Sequence, residues 1–253
     1  MRKREGMKHM AAPILPLHRG HYTARLAASE GDVAAAQALR HLAFRGTAGR
    51  DADAFDPLCR HLLVETSGTL VACCRLQHFG PGDDLQASYA AQTYDLTRLA
   101  TFAGPKIELG RFCLHPARSD PDILRLIWAA LTRVIDAGGV TLMFGCTSLP
   151  GADPQRHRAA LATLRRHTAP LAFAPGQRAP DLVALPEGQG DPAALPPLLR
   201  SYLTLGAFVS DHAVIDRDLD TLHVLTALPV AQVPPARARA LRALGVGESL
   251  SSG

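Results

Sequence analysis

The sequence predicts a mixed α/β fold, a mixed sheet with helices on both faces. Three observations predict it. Helix-like and strand-like stretches interleave along the chain instead of segregating into separate halves. Hydrophobic residues make up 47 % of the 253 positions, enough for a sizeable core. No internal repeat or low-complexity linker divides the chain. Residues 22–253 are therefore assigned to one domain, preceded by a flexible basic extension over residues 1–21.

The elements follow in order. Residues 31–45 read as a helix, with Val33, Ala36, Leu39, Leu42 and Ala43 on one face. An aspartate-rich loop leads to two strands, His61–Glu65 and Thr69–Phe79. The turn Thr66-Ser67-Gly68 joins them as an antiparallel hairpin. Residues 85–100 are compatible with a helix, and Lys106–His115 form a strand ended by Pro116. Ser119-Asp120-Pro121-Asp122 is a helix start, with proline in the first turn and acids at the positive end of the dipole. Ile123, Leu124, Ile127, Trp128, Leu131, Val134 and Ile135 then form an amphipathic stripe that Gly138-Gly139 stops. Val140–Cys146 is a strand, residues 153–168 a basic helix and residues 169–196 a proline-rich irregular segment. A helix near Pro197–Leu205, strands at Gly206–Ile215 and His223–Leu228, and an Arg-rich helix over 235–244 complete the series.

Composition excludes several functions. The apolar runs fall short of the ~20 residues that a membrane-spanning helix needs. The basic start is followed by too short an apolar segment, broken by Pro13 and Pro16, for a secretion signal. A cytoplasmic protein is expected. The five cysteines, at 59, 73, 74, 113 and 146, are odd in number and lack metal-ligand spacing. Neither a disulfide framework nor a metal site is expected. The net charge of +4 is concentrated in Arg2, Lys3, Arg4 and Lys8, in Arg156, Arg158, Arg165 and Arg166, and in Arg237, Arg239 and Arg242. Such clusters suit an anionic membrane or an acidic protein, or are solvated helix faces. With no interleaved aromatics and no nucleic-acid motif, no nucleic-acid partner is expected.

Lys106 to Leu131 carry the chemistry. A strand, a tight connection and a capped helix make an acyl-donor site, because the helix N-terminus offers unpaired N–H groups and a neighbouring strand can splay to admit a pantetheine arm. Acetyltransferases of the GNAT fold are built this way. Those using coenzyme A usually carry a glycine-rich loop that wraps the pyrophosphate. Here Ala117–Asp122 contains no glycine and two aspartates. That favours a donor on acyl carrier protein, which has one phosphodiester and an acidic surface to engage basic helices.

From about Tyr22 to Leu244 the chain resembles the bacterial ornithine-lipid N-acyltransferases, GNAT-like proteins distantly related to the acyl-homoserine-lactone synthases. The resemblance lies in Ala34–Arg40 with Phe44, in Phe55-Asp56 followed by Cys59–Val64, and in Ser88-Tyr89, Gln92 and Tyr94–Leu96. It continues in Glu108–Cys113, His115-Pro116, Asp120–Arg125, Phe144–Cys146, Tyr202-Leu203, Leu205–Ala207 and Ala213–Asp216. It implies a GNAT-like, mostly antiparallel sheet with helices on both faces. It also implies transfer of a 3-hydroxyacyl chain from the phosphopantetheine thioester of acyl carrier protein to the α-amino group of ornithine. No bound cofactor and no metal are implied. An amphiphilic product places the enzyme on the inner face of the cytoplasmic membrane. Three alternatives stay open: another acceptor such as glutamine, a homoserine-lactone-type signal synthase acting on S-adenosylmethionine, and a non-enzymatic lipid-binding protein.

Glu108 is the candidate general base, since an α-ammonium must lose a proton before it attacks a thioester. Arg111 is its companion, and the bland reading is an ion pair between the two. On a regular strand residues 108 and 111 face opposite ways, so cooperation requires a bulge near Gly110. Arg40 with Phe44 and Asp56 is placed at the acceptor. Arg40 either holds a carboxylate or pairs with Asp51, Asp53 or Asp56. Ser88, Tyr89 and Tyr94 are candidate donors to the thioester oxygen or the 3-hydroxyl, or are packing residues. Phe112, Cys113 and Phe144 complete the substrate set. Cys113 and Cys146 raise covalent catalysis, although direct attack is preferred. His61 and His115 rank below Glu108 as bases. Arg125, Arg156, Arg158, Arg165 and Arg166, with Arg133, are candidates for carrier-protein docking.

Overall fold

The computed structural model describes residues 15–244. Arg2, Lys3, Arg4 and Lys8 of the basic start lie outside the described residues. In chain order the elements are β1 (Leu17–Arg19), β2 (Tyr22–Leu26), α1 (Glu30–Arg45), β3 (Arg60–Thr66), β4 (Thr69–Phe79), β5 (Tyr94–Asp95), α2 (Thr97–Ala100) and β6 (Lys106–Leu114). They continue with α3 (Pro121–Gly138), β7 (Leu142–Pro150), α4 (Arg158–Leu164), β8 (Gly176–Gln177), β9 (Leu182–Ala184), α5 (Pro197–Thr204), β10 (Phe208–Val209), β11 (His212–Asp216), β12 (Thr221–Pro229) and α6 (Pro235–Leu244).

The chain divides into two compact units. Among the described residues, the first comprises 15–78, 109–140 and 235–244, and the second 79–108 and 141–234. In the first, β1, β2, β3 and β4 are neighbours in that order, and β6 follows β4. Leu17–Arg19, inside the stretch read from sequence as an extension, pair with Tyr22–Ala24. Helix α1 begins where Ser29 Oγ accepts the Asp32 N–H at 3.1 Å, and ends at Gly46, whose φ of 71° closes the last turn. It buries Ala36 and Leu39 against Leu63, Cys73 and Cys113. Helix α3 is capped by Asp120, which accepts the Asp122 N–H at 2.8 Å, with Pro121 in the first turn. Gly139 (φ 56°) ends it, and Val140 N–H returns to Ile135 O at 3.0 Å. This bond holds Val140 in the helix cap, so the strand read over Val140–Cys146 starts instead at Leu142.

The second unit orders β6, β7, β12, β11 and β9 as neighbours, with β10 also on β12. β6 and β7 are parallel, whereas β7–β12, β11–β12 and β9–β11 are antiparallel. Its cores gather Phe144, Tyr94, Leu96, Leu99 and Leu225, and separately Leu161, Leu164, Leu199 and Val224. Each such side chain, once buried, stabilises the fold by about 1.5–3 kcal/mol.

Residues 85–100 are not one helix. Two 3-10 turns, Leu85–Ala87 and Ala90–Gln92, precede β5 and the four-residue α2. Ser88 Oγ accepts the Ala91 N–H, and Asp95 Oδ1 accepts from Thr97, so polar side chains take N–H groups that a continuous helix would use. The basic helix over 153–168 is likewise reduced to α4 flanked by 3-10 turns at Pro154–His157 and Arg165–His167. The strand read over Gly206–Ile215 is split into β10 and β11 at Ser210, whose Oγ donates to His212 O and accepts from Leu225 N–H.

Candidate active site

In the first unit, three arginines and three aspartates form one balanced network. Arg40 projects from α1 and is 1 % exposed. Its Nη1 and Nη2 donate to the two oxygens of Asp56 at 2.7 and 3.0 Å, a fork on one carboxylate. Its Nε donates to Asp51 Oδ2 at 2.8 Å, and Nη2 also to the Asp51 carbonyl. Arg75 on β4 reaches Asp53 at 2.6 Å and Asp56 at 3.1 Å, with its guanidinium 5.5 Å from the centroid of the Phe55 ring. Arg111 on β6 lies 3.1 Å from Asp51 and 3.4 Å from Asp53. Gln37 donates to Asp56 as well. The aspartate-rich loop is thus pinned from α1, β4 and β6.

Of the two readings of Arg40, the internal pairing is present in the structure: Asp51 and Asp56 take its donors inside the protein. Asp56 is correspondingly a buried partner of Arg40, Arg75 and Gln37. Arg75, which sequence reasoning missed, left one signal: a lone charge inside the apolar run Leu70–Phe79. Arg111 adopts φ 49°, outside strand geometry, one residue after Gly110. Regular alternation therefore breaks where a bulge was required. A side chain at Gly110 would have its Cβ 3.3 Å from Arg75 Nε, so the glycine admits that arginine.

Burial would raise the Asp56 carboxyl, but hydrogen bonds from Arg40 and Gln37 overcome it and hold it well below the usual range. Asp53 is also lowered, the bond from Arg75 prevailing over burial. Depressed folded values mean stability that is complete above the unfolded carboxylate pKa and lost as pH falls toward the folded one. Stability is therefore expected to be flat near neutrality and to decline below about pH 4. Urea titrations of wild type and Asp56→Asn across that range check it. A variant curve parallel to wild type would rule Asp56 out as a source of the decline.

The same unit fixes the start of α3. Asp120 accepts from Tyr22 Oη at 3.0 Å while capping the helix, and Asp122 pairs with Arg19 and Arg125 at 3.0 and 2.7 Å. Carboxylates thus occupy the start of α3. His61 Nε2 is 3.3 Å from Asp56 O, and burial lowers its pKa. His115 Nδ1 accepts the Ala117 N–H. Phe44 and Phe112 are half-buried. Cys113 Sγ lies 3.6 Å from Cys73 Sγ, and that contact, with burial, pushes its thiol up, away from a reactive thiolate.

In the second unit, Glu108 on β6 is 3 % exposed. Its two oxygens accept the N–H groups of Tyr89 (2.9 Å) and Ala90 (2.7 Å) at the start of a 3-10 turn. The turn is held from behind by Arg178 Nη1 on Ala91 O at 2.5 Å, by Ala179 N–H on Thr93 O and by β5–β8 pairing. The proline-rich segment thereby supports the Glu108 cradle. Ser88 is buried and caps that turn. Tyr94 is buried with its hydroxyl donating to His223 O at 2.8 Å, and Phe144 packs on Phe79. Parallel pairing ends at Glu108↔Phe144, although β7 runs on to Pro150. Arg156, Arg158, Arg165 and Arg166 are exposed, with Arg165 paired to Glu187. Among the described residues, no cluster of three or more His, Cys, Asp or Glu is placed to hold a metal ion, and no helix is long and apolar enough to cross a membrane.

Residues 39–129 match the family model for an acetyltransferase (GNAT) domain. The chain is similar to the L-ornithine N(alpha)-acyltransferase of Rhizobium meliloti (strain 1021), 32 % identical over 238 residues that cover 83 % of this chain and 80 % of that protein. It is also similar to the protein of the same name from Brucella abortus (strain 2308), 31 % identical over 244 residues covering 85 % and 86 %. Among solved structures, the loading GNATL domain of CurA from Lyngbya majuscula is similar at a TM-score of 0.50 and 15 % identity, covering 84 % of this chain and 99 % of that one. The fold is a GNAT-like mixed one.

Proposed function

The chain belongs to the L-ornithine N(alpha)-acyltransferase family, and from that membership we propose that it moves a 3-hydroxyacyl chain from acyl carrier protein to the α-amino group of ornithine, giving lyso-ornithine lipid. The observation that carries the reading is the extent of the match, more than four fifths of the chain, spanning both Glu108 and Arg111. The α-ammonium of ornithine gives up a proton, and the amine attacks the thioester carbonyl. The C–N bond forms, the C–S bond breaks, and the second proton shed by the nitrogen goes to the departing pantetheine thiolate. Glu108 is the proton acceptor, directly or through a water. Arg111 stands at the end of the network on β6, with Asp51 and Asp53 as its partners.

One feature supports a carrier-protein donor over coenzyme A, and a second suits the pantetheine arm of either. The α3 N-terminus is already capped by Asp120 and flanked by Asp122, which repel a pyrophosphate. The backbone of β7 beyond Phe144 offers a strand edge suited to the amides of a pantetheine arm. Arg125, Arg156 and Arg158 are the cations assigned to the acidic carrier. The product is an amphiphile, so the reaction is assigned to a membrane surface.

Purified protein should form N-acylornithine from ornithine and 3-hydroxyacyl carrier protein, seen by mass spectrometry, and much less from the matching acyl-coenzyme A. Equal rates with the two donors would refute the carrier assignment. Acylation of glutamine in preference to ornithine would refute the acceptor.

A further inference from the structure

We propose that the turn Pro170–Phe173, with the adjoining turn Ala100–Ala103, is a membrane-surface anchor that takes anionic lipid. The proposal rests on the reading that the enzyme works at a membrane, and it names the surface that does so. Leu171 is 76 % exposed, and its neighbours Pro170 and Ala172 are exposed too. Lone surface leucines are ordinary, but this one stands in a patch. The rings of Phe102 and Phe173 meet at 5.0 Å, which sets two apolar turns side by side.

The turn is held firmly. Ala169 N–H bonds to Val209 O and Phe173 N–H to Pro170 O, both at 2.8 Å, while Phe173 and Phe102 pack against the buried core. Leu171 is therefore displayed outward by an ordered support, as insertion into the headgroup region requires.

Charge selects the partner. From Arg165 to Pro180, the stretch that holds the turn, there are three arginines, at 165, 166 and 178, and no aspartate or glutamate. Arg98, exposed, lies four residues before Phe102. An apolar tip inside a stretch of one sign fits an anionic bilayer, where each basic residue near the surface strengthens binding by about fivefold.

Vesicle flotation tests the proposal with phosphatidylcholine alone and with phosphatidylglycerol added. Wild type should bind the anionic vesicles and be released by salt. Leu171→Ser should weaken binding by about tenfold, and Arg166→Gln by a few fold, with Leu171→Ser leaving acylation by soluble substrates unchanged. A tryptophan at position 171 should shift its emission to the blue on anionic vesicles alone. Failure to bind at low salt, or equal binding by wild type and Leu171→Ser, would overturn the anchor. So would a Leu171→Ser variant that keeps its vesicle binding and loses transfer from carrier protein, which would mark the patch as a protein-docking site. Vesicle binding without any acylation would leave the anchor standing and remove the enzymatic reading, so the two fail separately.

Discussion

Arg40→Ala should cost about 3–5 kcal/mol of stability, the usual consequence of breaking a buried ion pair from one side. For a chain of this length that lowers Tm by roughly 10 °C. The size follows from what is left behind. Asp56 is buried and takes both Nη atoms of Arg40, while Asp51 takes Nε. Removing the guanidinium leaves the buried Asp56 carboxylate with only Arg75, Gln37 and the Asp53 N–H, and leaves Gln37 to hold the loop to α1. Arg40→Lys should recover little, because a single ammonium cannot bridge Asp51 and grip Asp56 in a fork. A double-mutant cycle with Asp56→Asn should give a coupling well above the ~1 kcal/mol of an exposed pair. Denaturation of Arg40→Ala within 1 kcal/mol of wild type would show that the network is ornamental to the fold.

The network also shows where sequence reasoning reaches. Helices α1 and α3 were legible because their signals are local: one apolar face in α1, and in α3 an apolar stripe between the Asp120 start and the Gly138-Gly139 stop. The β3–β4 hairpin was legible for the same reason. Residues 85–100 were not, because their conformation is set by partners distant in sequence. Glu108 draws the Tyr89 and Ala90 N–H groups, Arg178 draws Ala91 O, and His223 O receives the Tyr94 hydroxyl. Arg40 and Asp56 were named together but with their pairing left open, since spacing cannot tell an internal ion pair from a substrate clamp. Arg75 was overlooked because Thr69–Phe79 was read only as one arm of a hairpin, and its partners Asp53 and Asp56 lie some twenty residues away in sequence. An irregularity near Gly110 was named as the condition for Glu108 and Arg111 to share a face, and Arg111 does leave strand geometry there with its positive φ.

Glu108→Ala should lower kcat by about 10²–10⁴-fold, the range for a lost general base, with a smaller change in KM for ornithine. The difficulty is that Glu108 also has a structural duty. Its oxygens satisfy two backbone N–H groups, and stranding a buried donor costs about 1–3 kcal/mol. Loss of activity alone therefore proves nothing. Glutamine is not a silent replacement: its amide nitrogen faces one of the two N–H donors, so one contact turns repulsive while the other survives. The two duties respond differently to conditions. If Glu108 only holds the Tyr89–Gln92 turn, activity of Glu108→Gln and Glu108→Ala should return at temperatures well below their Tm, with the wild-type pH–rate profile. If Glu108 takes the proton, both variants should stay slow when fully folded, and the acid limb of the profile should vanish. Arg178→Ala supplies the control, since it loosens the same turn from behind without touching the carboxylate. It should lose stability and retain the acid limb, with its activity recovering on cooling. A folded Glu108→Ala enzyme turning over near the wild-type rate would remove Glu108 from the chemistry and leave it as the acceptor that shapes the turn.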